Sequence, residues 1–378
     1  MRVYRFDRHL WAEMHIVFRT DASLQIGTGH VMRCLTLAHA LRERGAQCSF
    51  TCREHPGNLI DLIRQRGFLV HALQCDEGWV VQENTPSHAG WLGADWQADA
   101  EESKVGARET AIDWLIVDHY ALDRRWEHAM QAYCRHIMVI DDLADRAHYC
   151  DLLLDQNLGR KRDDYSGLLK GKANTLIGPQ YALLRPEFAA LRPQSLARRQ
   201  NNPQLRRLLV TMGGVDNDNS TGQVLDTLRG CKLPADLRVT VIMGQHAPWL
   251  AQVQAQTAQL PWHTDVLVGV NNMAQLMVES DLAIGGAGGT AWERCSLGLP
   301  SLVLVLAKNQ SAGALALQAA GAAIAMESQQ RISDFMGALK TAEFANGVLT
   351  KMSNAAAAVT DGQGCVRAVK HIVEGIYV

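Results

Sequence analysis

The stretches Leu282-Ala-Ile-Gly285-Gly286-Ala-Gly288-Gly289-Thr290-Ala-Trp-Glu293 and Gly27-Thr28-Gly29-His30 decide how this chain folds. Each follows a short apolar run and opens a helical pattern, the strand, loop and helix of an α/β sheet. Glycine lets backbone amides approach an anion closely, and a helix N-terminus adds N–H donors and a favourable dipole. Both stretches are therefore candidate seats for phosphate. The Gly27–His30 stretch lacks the third glycine of a dinucleotide fingerprint and the Gly-Lys-Ser/Thr of a Walker loop.

Outward from these stretches the chain alternates β-rich runs with helical patterns, the signature of parallel sheets covered by helices. The strand candidates of the first half are His15–Thr20, Gln47–Cys52, Phe68–Leu73, Trp114–Asp118 and Ile137–Ile140. Helices are expected at Val31–Arg44, Asn58–Gln65 and Arg124–Tyr133. Glu77–Lys104, with four glycine or proline residues and three tryptophans, reads as a long loop. Arg192–Arg207, with two prolines, five arginines, three glutamines and two asparagines, reads as a solvated linker. Beyond it strands are expected at Leu208–Met212, Arg238–Met243, Asp265–Val268, Leu282–Ile284 and Ser301–Leu304. Two α/β halves of similar size imply a cleft, and every glycine motif falls at the carboxyl end of a strand, where such sheets bind ligands.

Composition bounds the function. A chain of 378 residues suits two domains, and 47% hydrophobic with 20% charged residues describes a soluble globular protein. A net charge of −2 gives no global attraction to nucleic acid or anionic membrane. Nine cysteines without a Cys-x-x-Cys pair indicate neither a disulfide framework nor a zinc ribbon, so a cytoplasmic setting is expected. Met1–Glu13 has no apolar run long enough for a signal peptide or membrane span, and Met14 is a candidate working start.

His30 is the candidate general base: Gly27 and Gly29 permit a tight turn that places its imidazole at the mouth of the cleft. A helix N-terminus would favour the neutral ring, and Asp21 is a candidate partner to orient it. In the C-terminal half the Gly285–Gly289 amides and the Thr290 hydroxyl can hold a diphosphate, and Glu293 can accept hydrogen bonds from ribose hydroxyls. Gly213-Gly214 could face the same anion, or serve only tight strand and helix packing. Asp141-Asp142 and Asp216-x-Asp218 read as helix or turn caps rather than metal ligands, and no metal or cofactor is expected.

These residues resemble those of a known family, the UDP-sugar hydrolases of the pseudaminic acid pathway, which cleave UDP-2,4-diacetamido-2,4,6-trideoxy-β-L-altropyranose. The resemblance runs through Arg19–Arg33, Trp91-Leu92-Gly93 with Asp99-Ala100, and Val117-Asp118-His119-Tyr120. It continues through Ile140-Asp141-Asp142-Leu143, Gly178-Pro179-x-Tyr181-Ala-Leu-Leu-Arg185, the Gly-rich segment with Glu293, and Asn309-Gln310. It implies a GT-B fold like that of MurG, two Rossmann-like domains with parallel sheets facing a central cleft. UDP would lie mainly on the C-terminal domain and the sugar would face His30, with Tyr120 and Asn309 as further active-site residues and Arg33 as a substrate contact. Tyr120 reads equally as a core tyrosine at a strand end and Asn309 as the cap of the following helix. The implied organisation is an appendage at 1–14, an N-terminal domain at 15–193, a linker at 194–207, a UDP-binding domain at 208–360, and a helix at 361–378 packing back on the N-terminal domain. The partner is then a small-molecule UDP-sugar, with no nucleic acid and no membrane insertion, and the protein a monomer. The rival readings are a glycosyltransferase of the same architecture, a non-catalytic nucleotide-sugar sensor, and a hydrolase of another nucleotide-linked sugar.

Overall fold

The computed structural model describes residues 14–76, 78–81, 85–107, 111–169, 173–200, 204–326, 329–338 and 342–374. The appendage expected at 1–14 lies outside them except for Met14, as do Glu77 and residues 82–84 of the expected loop. Thirteen strands are described: β1 His15–Thr20, β2 Gln47–Arg53, β3 Leu69–Leu73, β4 Ile112–Asp118, β5 Cys134–Ile140, β6 Leu152–Asp155, β7 Asn174–Ile177, β8 Arg207–Thr211, β9 Arg238–Met243, β10 His263–Val268, β11 Leu282–Gly286, β12 Ser301–Leu304 and β13 Ile324–Met326. The helices are α1 Gly29–Arg42, α2 Ile60–Gln65, α3 Trp96–Ala107, α4 Arg124–Met130, α5 Pro186–Gln200, α6 Ser220–Arg229, α7 Leu250–Thr257, α8 Met273–Glu279, α9 Thr290–Ser296, α10 Ser311–Ala319, α11 Gln329–Ala338, α12 Ala342–Val359 and α13 Gly364–Glu374.

The chain forms two compact units. The first comprises residues up to Gln156, Arg160–Leu183 and the segment from Cys365; the second comprises Asn157–Gly159 and Leu184–Gly364. The first sheet runs β3-β2-β1-β4-β5-β6-β7, with every pairing parallel. Its central strands are buried on both faces, which is why β4 reads as an apolar run over Trp114–Val117. Ile116 packs with Phe18, Phe50, α1 and, through Ala368, Val369 and Ile372, α13. Its neighbours Leu115 and Val117 pack on the other face with Trp126, Met130 and Tyr165. The second sheet runs β10-β9-β8-β11-β12-β13, again parallel. Its core joins Leu208, Val210, Val241, Leu282 and Ile284 to Val224, Leu228 and Leu349.

Two expectations are corrected. The loop read over Glu77–Lys104 becomes helical from Trp96. Asp95 accepts a hydrogen bond from the Gln97 amide at 2.8 Å, and the buried Asp99 ties α3 to the sheet by accepting from Arg19 and Arg53, and to α4 by accepting from the Trp126 indole. The linker read over Arg192–Arg207 is helical through Gln200, with Pro193 inside α5. Arg206 and Arg207 are exposed as expected, but Arg192, Arg198 and Arg199 cap carbonyls. Arg199 donates to the carbonyls of Met277, Ser280 and Leu297, and Arg192 to those of Ser296, Ala357 and Thr360, satisfying helix ends that would otherwise be orphaned. Strands β6, β7 and β13 are additions. They are three or four residues long, and β6 is leucine-rich rather than β-branched, so neither length nor composition marks them.

Candidate active site

Strand order reverses direction at β1 and β4 in the first sheet and at β8 and β11 in the second, and these switch points are where open α/β sheets bind ligands. In the first unit the loop after β1 is shaped by Ser23. Its hydroxyl accepts from the amides of Gln25 and Ile26 at 3.1 and 2.8 Å, and its carbonyl accepts from Gly27. Gly27 stands at φ +80°, a conformation that glycine adopts without a Cβ penalty. Helix α1 then begins at Gly29, which puts His30 in its first turn and Arg33 one turn on along the same face.

Across the switch point, Asp118 ends β4 in register with Thr20 of β1. Its carboxylate is fully buried and accepts from His30 Nδ1 at 2.6 Å, Arg33 Nε at 2.6 Å and Arg33 Nη2 at 2.7 Å. Burial alone would push this carboxyl up. The Arg33 guanidinium reverses that and holds it well below the usual carboxylate range, so it is ionised. An ionised acceptor at Nδ1 fixes the ring proton there and leaves Nε2 as the accepting nitrogen. The orienting carboxylate of His30 is thus Asp118 and not Asp21.

Asp21 is spent elsewhere. It accepts from the Arg53 amide at 2.6 Å, pairs with Arg19 at 2.7 Å, and faces His119 Nε2 at 3.1 Å. Arg33, expected as a substrate contact, also donates from its remaining nitrogen, Nη1, to Asp142 at 2.6 Å, so two carboxylates hold its guanidinium in place. Asp142 also accepts from the Tyr120 hydroxyl at 2.8 Å. Burial and then Asp142 push that hydroxyl well above its ordinary pKa, so it stays protonated as a donor. The Tyr120 ring stands edge-on to His30 at 4.5 Å. His30, Arg33, Asp118, Tyr120 and Asp142 therefore form one bonded group, of which sequence reasoning assigned no role to Asp118 and a capping role to Asp142. The signal for Asp118 was its position: a carboxylate closing the strand beside the one that precedes His30. Of the adjacent pair, Asp141 does hold a turn, accepting from the Ala144 amide at 2.8 Å, and Asp216 caps α6 through Ser220 and Thr221.

In the second unit, Gly213 at φ +93° and Gly214 follow β8, beside the glycines of the paired β11. Gly285 and Gly286 lie within β11 rather than in a turn. A Cβ on Gly285 would come 2.6 Å from the Thr211 carbonyl and one on Gly286 2.9 Å from Leu306, so close packing explains both. The turn proper is Ala287–Gly289. Among the described residues the amides of Gly288, Gly289 and Thr290 have no hydrogen-bond acceptor. Behind the turn the buried Arg294 donates to the Gly286 carbonyl at 2.7 Å and to the Thr290 hydroxyl at 3.2 Å. Burial lowers its pKa to about 10, which still leaves a positive charge under the turn at neutral pH. Such a turn favours an anion.

Glu293 is partly buried and 3.8 Å from Arg185; burial outweighs that attraction and raises its carboxyl to about 7. Asn309 is exposed on the 3-10 turn Lys308–Gln310, and the N-cap position of α10 falls on Gln310, without a side-chain capping bond, so the capping alternative for Asn309 does not hold. Its neighbour Gln310 lies against Gly286 and Gly288. No described helix is long and apolar enough to cross a membrane.

Residues 208–364 match the glycosyltransferase family 28 C-terminal domain. An uncharacterized protein of Methanocaldococcus jannaschii is 24% identical over 77% of this chain, which spans 55% of that relative's length. A Campylobacter jejuni protein named UDP-2,4-diacetamido-2,4,6-trideoxy-beta-L-altropyranose hydrolase is 26% identical over 80% of this chain and 95% of its own. MurG of Acinetobacter baumannii superposes with a TM-score of 0.67 at 17% identity, covering 96% of this chain and 99% of that one. The chain is therefore an α/β protein with the two-sheet GT-B fold of MurG, and it is similar over four-fifths of its length to a UDP-diacetamido-altropyranose hydrolase.

Proposed function

We propose that this protein hydrolyses a UDP-linked 2,4-diacetamido-2,4,6-trideoxy sugar at the anomeric carbon, with inversion and without a metal. His30 Nε2 takes a proton from water as its oxygen bonds to the anomeric carbon. The bond from that carbon to the diphosphate oxygen breaks, and its electron pair leaves with UDP. This is the base half of an inverting glycosidase. UDP is a good leaving group, so the other requirement is donors for its growing charge. The amides of Gly288, Gly289 and Thr290, with Arg294 behind them, serve that need, and Glu293 accepts from the ribose. Tyr120 and Asn309 position the sugar. The observation that carries the reading is the His30 pair with a permanently ionised Asp118, which makes a base of the imidazole at a ligand-binding switch point. The substrate identity rests on the Campylobacter relative's name. We place the protein in pseudaminic acid biosynthesis, as a cytoplasmic monomer.

The test is turnover in ¹⁸O-enriched water followed by NMR, with His30→Ala alongside. Label in the sugar, an inverted anomer at early times and a rate loss of about 10²–10⁴ in the variant support the reading. Label in UDP would mean attack at phosphorus and overturn it. A second reading, transfer of the sugar to an acceptor other than water, is favoured by the family 28 match and the MurG fold. Sugar appearing on a lipid or protein acceptor, with none released to water, would establish it.

A further inference from the structure

His30 is flanked by rings from two segments of the first unit, the turn His88–Trp91 and Tyr120 after β4, that proton transfer does not use. Trp91 ends the 3-10 turn Ala89–Trp91; its indole lies 6.5 Å from the His30 ring and stacks on Tyr120 at 5.6 Å and 23°. His88 stands edge-on to both, 4.5 Å from Trp91 and 5.3 Å from Tyr120. The turn is anchored from behind. Leu92 is buried with Val117 and Trp126, and Gly93 at φ +68° packs where a Cβ would come 2.7 Å from His55. Ser87 fixes the His88 ring at 2.9 Å and reaches Asp145 at 3.2 Å. Trp91 and His88 nevertheless keep part of their surface uncovered, while Ala89 and Leu92 on the same turn are buried. A rigidly held indole left partly open beside a candidate base has the character of a ligand wall rather than core filling.

The geometry points to Trp91, backed by His88 and Tyr120, as the residue that selects the sugar, by stacking on the apolar face and methyl groups of a deoxy, N-acetylated ring. The inference rests on the hydrolase reading and adds what that site prefers. An indole face offers no acceptor and a single N–H, so a sugar carrying hydroxyls on that edge would lose hydration without replacement. A methyl group there loses nothing and gains contact area. Stacking also fixes the ring, and with it the anomeric carbon, in one orientation towards the water at His30.

The test compares two substrates on the wild type, Trp91→Ala and Trp91→Phe: the UDP-linked 2,4-diacetamido-2,4,6-trideoxy sugar, and a UDP-linked 2-acetamido sugar with hydroxyls at C4 and C6. The wild type prefers the first. Trp91→Ala lowers kcat/KM for it by about 10- to 200-fold, the range for lost apolar contacts in a pocket, and shrinks the preference. Trp91→Phe retains most of both, and inhibition by UDP is unchanged in either variant. Saturation-transfer NMR on the same proteins reads the contact without turnover: transfer to the acetamido and C6 methyl protons falls in Trp91→Ala, while transfer to uracil protons does not. Wild-type turnover with the preference and the methyl transfer intact in Trp91→Ala would overturn this inference and leave the hydrolase standing. No wild-type turnover, with methyl transfer lost in Trp91→Ala, would overturn the hydrolase and leave the wall.

Discussion

Replacing Asp118 with asparagine keeps the shape of the side chain and removes its charge, and the hydrogen bonds around it determine the consequence. The carboxylate accepts three short bonds, at 2.6 Å from His30 and at 2.6 and 2.7 Å from Arg33. An amide has one oxygen. If Arg33 keeps that oxygen, the new NH₂ group turns to His30 Nδ1 and donates to it. The imidazole proton then sits on Nε2, where the base should be. Loss of the correct tautomer costs about 10⁴ in kcat in the serine-protease template, or about 5.5 kcal/mol at 1.36 kcal/mol per decade. Breaking one side of a buried ion pair costs about 3–5 kcal/mol of stability; because Arg33 keeps Asp142, the lower end applies, a fall in Tm of about 6–12 °C. UDP release is therefore assayed well below the transition for wild type, Asp118→Asn, His30→Ala and the double variant. Asp118→Asn is expected to lose about 10³–10⁴ in kcat, with the double variant no slower than His30→Ala alone, since Asp118 acts through His30. A rate within tenfold of wild type, or losses that multiply in the double variant, would refute the assignment.

Glu293 makes stability depend on pH in a direction opposite to a paired carboxylate. Its folded pKa of about 7 lies above the ordinary 4.5, so the folded state holds the extra proton between those values and stability falls as pH rises through that window. Glu293→Gln should raise stability by about 3 kcal/mol at pH 8 and hardly change it at pH 4.5, as read by urea denaturation. If the ionised carboxylate accepts the ribose hydroxyls, UDP binding releases a proton, and affinity measured by calorimetry should fall up to tenfold per pH unit below about 7, a dependence lost in Glu293→Gln. Arg199→Ala, which strands three carbonyls in the second unit, should cost about 1–3 kcal/mol for each carbonyl left unpaired, whereas Arg199→Lys should recover part of it. Gly27→Ala forces a Cβ into φ +80° and should cost about 1–2 kcal/mol, while Gly29→Ala, with open space around it, should be neutral or stabilising in thermal melts.

What the sequence exposed and what it hid have one physical cause. Strands β5 and β9 end where their apolar runs end, at Ile140 before Asp141 and at Met243 before Gly244, because the carboxyl end of a strand buried on both faces stays apolar until the chain leaves the sheet. His30 and the glycine turn were legible for a similar reason: φ and charge are demanded locally, by neighbours in the chain. Most of the misreadings concern polar residues whose partners are distant in sequence. Arg192 and Arg199 look solvated until the carbonyls they cap, 78 to 168 residues away, are in place. Asp118 stands 88 residues from His30 and Asp142 109 from Arg33, so no local pattern distinguishes them from strand-end caps. Asp21 was the natural partner for His30 by proximity in the chain. The parallel pairing of β1 with β4 brings Asp118 to that place instead, and the neighbouring β2 supplies the Arg53 amide that occupies Asp21. In a parallel sheet, successive strand ends converge only through crossovers, so the chemistry of a switch point is assembled from residues that composition and periodicity treat as unrelated. The glycine turn of the second unit shows the same limit from the other side: Gly285 and Gly286 share a motif with Gly288 and Gly289, yet it is the Thr211 carbonyl on β8 and the Leu306 side chain beyond β12 that assign the first two to packing.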